Sequence, residues 1–233
     1  LKRVSHPNLV AYRDHGLDGD APFLVMDYHP GGDLRRLLNV RESGRFELGE
    51  AAYALIAAAR GLAALHAADV IHRDVKPSNL LAAEGGAVLL TDCGIALAGD
   101  VTARLTGQNQ VVGTPQYISP EHLRGAELTP AADVFSLGAM AWLFFTGERP
   151  FKGKHVVDVL KARLSASPPP ISELCPEAPP AWVDLVQRML AQNPAKRPEL
   201  EEVIEVLSQS ELVPTQGEIA AKWAAELEEL SLD

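Results

Sequence analysis

Between the apolar pairs Val70-Ile71 and Leu80-Leu81 the chain places His72-Arg73-Asp74-Val75-Lys76-Pro77-Ser78-Asn79. A base, an acid, two cations and an amide side by side are costly to bury, so an apolar frame around them asks for a use. A second apolar run ends at Asp92. Asp92 and Asn79 offer hard oxygen ligands of the kind Mg²⁺ takes beside phosphate oxygens. Lys76 adds positive charge, and Asp74 is left to accept a proton. Metal, charge stabilisation and an oriented nucleophile are the parts that phosphoryl transfer needs.

Those residues need elements to bring them together. Residues 80–83 and 87–91 read as two short strands joined at Glu84-Gly85-Gly86, a hairpin that returns Asp92 to the side of Asn79. Residues 48–68 are alanine-rich, with Leu55, Ile56, Ala59, Leu62 and Ala63 on one face, which predicts a long amphipathic helix. Residues 23–28 read as a short buried strand, broken by His29-Pro30-Gly31-Gly32-Asp33. Asp33 stands where a helix over residues 34–38 wants its cap. Residues 99–113 are polar and unpatterned, a long loop of the kind that usually carries function. Thr129 is read as an N-cap with Pro130 at the first helical position. The helix that follows, 131–146, is apolar almost all round, so it is expected in the core, and its one acid, Asp133, then requires a hydrogen-bonding partner. Further helices are expected near residues 155–164, 181–192 and 199–208. A last amphipathic segment carries Ile219, Trp223, Leu227 and Leu230 and is read as a packed or partner-facing helix.

Composition narrows the class. The chain has 233 residues, 47 % of them hydrophobic, enough for a buried core. Its two cysteines are too few for a disulfide framework and fit a reducing, cytoplasmic setting. No apolar run is read as approaching the roughly 18 residues of a membrane span. The net charge of −10 is concentrated at the end, where residues 199–233 hold ten acids and the single base Lys222. That tail is expected to be a solvated helix face, and no basic patch points to nucleic acid.

Five motifs in order then carry a resemblance. His72-Arg73-Asp74-Val75-Lys76-Pro77-Ser78-Asn79, Asp92-Cys93-Gly94, Gly113-Thr114-Pro115 with Ser119-Pro120-Glu121, Asp133-Val134-Phe135-Ser136-Leu137-Gly138 and Asn193-Pro194-Ala195-Lys196-Arg197-Pro198 resemble the eukaryotic-type serine/threonine protein kinases, most closely the bacterial ones. The resemblance implies a mainly α (α+β) fold, a kinase-like large lobe with a remnant of the small-lobe sheet. It divides the chain into a small-lobe remnant at 1–28, with the end of a regulatory helix near Leu1 and two strands, a large lobe at 29–208, and an acidic helical extension at 209–233.

It also implies roles. Asp74 would accept the proton of a substrate hydroxyl, Lys76 would lie by the transferred phosphoryl group, and Asn79 and Asp92 would hold Mg²⁺. ATP would meet Met26 at the gatekeeper position, the backbone of Asp27 and His29, and Leu81 beneath the adenine. Asp33 would lie near the ribose and the peptide, or act only as a helix cap. Arg73 would pair with a phosphorylated activation loop, with Thr106 the first candidate for autophosphorylation and Thr102 the second. Glu121 would pair with Arg197, Asp133 would hold the catalytic loop, and His72 would pack rather than carry protons. Partners would be proteins with Ser or Thr hydroxyls.

The pattern also departs from the family. The glycine-rich lid, the ATP lysine and its glutamate partner are not found in these residues, so the resemblance implies a fragment of a fuller kinase. Were the chain the whole product, the alternative would be an inactive kinase-like scaffold or regulator. Cys93 stands for the usual phenylalanine, and Leu143 stands where a glutamate would read basic substrates.

Overall fold

The computed structural model describes residues 4–19, 21–93 and 116–230, without the side chains of 227–230. Near the N-terminus, β1 (Tyr12–Asp18) pairs antiparallel with β2 (Ala21–Met26). The expected buried strand over 23–28 is corrected in two ways: β2 ends at Met26, and all six of its residues are exposed. The ladder has only two strands among the described residues, and neither face is packed closely enough to bury a β2 side chain. Residues suited to a sandwiched sheet therefore stand in solvent.

The chain then passes into α1 (Leu34–Val40), where the Asp33 carboxylate accepts the Arg36 N–H at 3.0 Å, the expected cap. Just before it, Gly31 lies against the strand below. A Cβ there would come within 2.2 Å of the Ala82 carbonyl, and the Ala82 N–H donates to the Gly32 carbonyl at 2.9 Å. Only a residue without a side chain lets the two backbones lie so close.

The rest is a helical body. Its central helix, α2 (Leu48–His66), ends two residues short of the expected 68, where Ala67 caps it and Asp69 turns to φ +58°. Ala51, Ala54, Ala58 and Ala59 are buried, and their small size admits α4 (Ala131–Thr146) and α7 (Leu200–Ser208) on either side. Among the described residues α2 is the one helix long and apolar enough to span a membrane by length and composition, with mean hydropathy 1.3, but it carries Glu50 and Arg60 and 67 % of that window is buried in the lobe, as for a core helix. Helix α4 is buried almost throughout, as expected. Pro130 already has helical angles of φ −47° and ψ −31°, as expected of a proline at the first helical position.

Between α2 and α4 lie β3 (Leu80–Ala82), β4 (Val88–Leu90) and the single-turn α3 (Pro120–Leu123). The β3–β4 hairpin has the expected register, Leu80 opposite Leu90 and Ala82 opposite Val88. Helices α5 (Val156–Ser165), α6 (Pro180–Met189) and α7 follow near their expected positions. The last helix, α8 (Gln216–Leu230), packs across the hairpin turn and the start of α2, with Ile219 and Trp223 buried.

Candidate active site

The stretch 72–79 is held from below by one carboxylate. Asp133, wholly buried on α4, accepts the His72 N–H, the Arg73 N–H and His66 Nε2, each at 2.8 Å. This is the partner that an acid inside an apolar helix requires. Arg73 sits at φ +68° and Asp92 at φ +56°, both non-glycine residues in the left-handed region. Such backbone costs about 1–3 kcal/mol per residue and persists where surrounding bonds over-determine it. Here the two amides on Asp133 do so at Arg73, whose side chain stays exposed.

His72 joins this loop to the hairpin. Its Nε2 lies 2.9 Å from the Thr91 carbonyl, which can only accept, so Nε2 carries the proton. Nδ1 then accepts the Asp74 N–H at 3.3 Å. Burial lowers the ring's pKa, so His72 is neutral at physiological pH and packs instead of shuttling protons.

Above it the hairpin does what its pattern predicts. The Thr91 N–H donates to the Asn79 carbonyl at 2.9 Å, which brings the strand carrying Asp92 beside Asn79. Asn79 Nδ2 donates to the Asp74 carbonyl at 2.8 Å and to Asp74 Oδ2 at 3.1 Å. Lys76 Nζ meets the same Oδ2 at 2.6 Å. Among the described residues, no donor reaches Asp74 Oδ1, Asn79 Oδ1 or the exposed Asp92 carboxylate. One oxygen of the acid is thereby left unengaged, and the Asn79 amide oxygen and the Asp92 carboxylate are two hard oxygen groups that could hold a cation. Cys93 is half-buried against the core, and burial pushes its thiol up to about 11, so it stays protonated.

The nucleotide-side candidates lie along 26–33 and β3. Met26 reaches the end of the hairpin, where its Sδ accepts from Thr91 Oγ1 at 3.6 Å. The Asp27 side chain is taken by a bidentate pair with Arg13 at 2.6 Å, and its N–H by the Ala11 carbonyl. Its carbonyl and the His29 N–H are left without partners among the described residues. Leu81 bridges to Asp33, so the strand beneath and the helix cap are neighbours. Beyond the loop, Ser119 caps α3, and the Glu121 carboxylate forms a bidentate pair with Arg197 at 2.6 and 2.8 Å, as expected. Leu143 is half-buried against the core. Gly94, Thr102, Thr106 and residues 113–115 lie outside the described residues. Sequence reasoning missed Arg163, buried on α5. Its signal was a cation on the inward face of an amphipathic helix.

A family model described as the protein kinase domain matches residues 1–207. The chain belongs to the protein kinase family. Kinases of this family generally use ATP and a divalent metal. The chain is 38 % identical over 201 residues to the serine/threonine-protein kinase PknL of Mycobacterium tuberculosis, covering 84 % of this chain and 49 % of that protein. It is 37 % identical over 199 residues to PknA of the same species, covering 83 % and 45 %. It is 40 % identical over 204 residues to PkaA of Streptomyces coelicolor, covering 86 % and 36 %. The chain thus spans half or less of the length of these relatives. Helix α8 lies beyond the residues that the family model matches.

Proposed function

We propose that this chain supplies the catalytic loop and metal side of a serine/threonine protein kinase, which transfers the γ-phosphoryl group of ATP to protein hydroxyls. The carrying observation is the cluster at the foot of the hairpin: Asp74 with one oxygen held by Lys76 and Asn79 and the other unengaged, and the strand carrying Asp92 bonded to Asn79 through Thr91. Asp74 accepts the proton of the substrate hydroxyl. Lys76, now paired with Asp74, neutralises charge near the transferred group.

Asn79 Oδ1 and Asp92 would hold Mg²⁺, which supplies charge neutralisation at the phosphate oxygens. The donor set fits: the Asn79 amide nitrogen is committed to Asp74, so its oxygen is the atom left over. One carboxylate and one amide make a spare set, as suits an ion that takes its other ligands from phosphate and water. Met26, Leu81 and the open Asp27 carbonyl and His29 N–H would receive the adenine, with Asp33 near the ribose. Thr106 and Thr102 would be the autophosphorylation sites, with Arg73 as the cation awaiting phosphate.

The division at 1–28, 29–208 and 209–233 belongs to this reading. The exposed β1–β2 ladder is the part of a small lobe whose faces further strands would cover, and a cytoplasmic setting accompanies it. The test is Asp74→Asn in the full-length natural protein, followed by transfer of labelled phosphate from ATP. Loss of general-base help predicts a drop of about 10²–10⁴. Transfer at the wild-type rate would overturn the role given to Asp74.

A further inference from the structure

Helix α5 is inverted in its burial. Its first valines, Val156 and Val157, are 43 % and 57 % exposed, while its one fully buried side chain is Arg163, at 1 %. Arginine is almost never so deeply buried without partners. The guanidinium reaches main-chain carbonyls: Nη1 donates to the Ile118 carbonyl at 2.7 Å and Nη2 to the Gln116 carbonyl. The carbonyl between them, of Tyr117, accepts from Ser136 Oγ of α4 at 2.7 Å. Three successive carbonyls of an irregular segment are thus held by side chains from two helices.

This anchor is joined to the one next to it. The Arg163 guanidinium lies 5.0 Å from the Phe151 ring centre and 5.8 Å from that of Phe135. The same Phe135 ring carries Arg197 at 4.9 Å, and Arg197 holds Glu121. Phe135 is therefore flanked by two arginines that fasten neighbouring stretches of one segment, 116–118 and 121. At the far end of α5, Gln192 Nε2 closes the Arg163 and Ala166 carbonyls at 2.6 and 3.0 Å, which fixes the helix turn that carries the guanidinium. Burial lowers the Arg163 pKa to about 10, so it remains a cation at neutral pH.

We propose that Arg163 is a positioning residue for the protein substrate: it sets the path of the half-buried residues 116–118, which join the Gly113-Thr114-Pro115 and Ser119-Pro120-Glu121 motifs of the segment that the kinase reading assigns to the incoming peptide. The inference rests on the kinase reading above. A planar fork suits the task, because it bonds two carbonyls two residues apart at once, whereas a lysine presents a single point charge.

The experiment compares wild type, Arg163→Met and Arg163→Lys in the full-length protein. Two readouts are taken: amide hydrogen exchange over residues 116–121, and steady-state transfer to a synthetic peptide of residues 98–112, which contains Thr102 and Thr106. Loss of charge-assisted bonds predicts faster exchange at 116–121 and a peptide KM about tenfold higher in Arg163→Met, with kcat and the ATP KM within about twofold. Arg163→Lys falls between, and decides the case if Arg163→Met does not fold. Faster exchange with an unchanged peptide KM makes Arg163 merely structural and overturns the proposal, as does an equal rise in both KM values. Should the wild type transfer no phosphate, the kinase reading fails on its own. Unchanged exchange in the variants would overturn the Arg163 anchor whether or not the protein is active.

Discussion

Two buried carboxylates organise this lobe in different ways. Asp133 collects two backbone amides and one imidazole. Glu50, 3 % exposed near the start of α2, collects side chains: both nitrogens of the Arg41 fork at 2.9 Å, Trp223 Nε1 at 2.9 Å and Lys222 Nζ at 3.2 Å, besides the Glu47 N–H at 3.0 Å. Arg41 also grips Glu226 of α8 at 2.8 Å. The first hub shapes a loop whose residues are close in sequence to one another. The second ties α8 to the lobe through residues far apart in the chain. A hub that binds backbone tolerates changes in its partners' side chains. A hub that binds side chains depends on each partner's identity.

The largest effect should come from Asp133→Ala. It leaves two buried amides without an acceptor, at about 1–3 kcal/mol each, and so lowers unfolding free energy by about 2–6 kcal/mol in urea. The backbone at Arg73 should relax with it, abolishing phosphoryl transfer. A cost no larger than that of losing one side-chain bond at Glu50 would erase the contrast between the hubs.

An acid titration sharpens the second hub. Burial alone would raise the Glu50 pKa, but Arg41, Trp223 and the Glu47 N–H outweigh it and hold the carboxylate at about 2, against an ordinary 4.5. A carboxylate depressed in the folded state contributes its full stability above the unfolded value. That contribution is lost as pH falls from about 4.5 toward 2. At about 1.4 kcal/mol per pKa unit the loss is of order 3 kcal/mol. Unfolding followed from pH 6 to pH 2 should show this acid limb, and Glu50→Gln should flatten it. A limb identical in wild type and variant would assign the acid sensitivity elsewhere.

The smallest effect should come from Trp223→Phe. The ring contacts with Phe46 and Tyr53 remain, and Glu50 keeps Arg41 and Lys222. One hydrogen bond to an ionised carboxylate and the packing of the indole's second ring are lost, about 2–3 kcal/mol in all by thermal or urea unfolding. A loss several times larger would mean that α8 detaches as a unit.

The two hubs differ in the same way in how legible they are. An acid alone in an apolar helix announces that it needs a partner, and the motif around 72–79 supplied one, so Asp133 could be assigned in advance. Asn79 and Asp92 could be paired because a short hairpin has one register that puts its apolar residues inside. Glu50 lies in a helix start rich in polar residues, where a glutamate is unremarked. Arg163 sits in a helix whose apolar Val156 and Val157 are exposed, so that helix's own pattern does not mark its buried face. The strand over 23–28 was placed within two residues, yet its burial was misjudged, because burial belongs to the neighbours of a strand and not to its own pattern.

Sequence alone therefore determined the chemistry-bearing loop, the hairpin that returns Asp92 and the buried α4, since local periodicity and residue types encode them, while the Glu121–Arg197 pair was legible only through the family resemblance. The tertiary structure decided the tautomer of His72, the engagement of Lys76 with Asp74, the docking of α8 on Glu50 and the inward turn of Arg163. Each of those depends on which groups converge from distant parts of the chain. A single side chain's cost of burial is set by the partners it finds there.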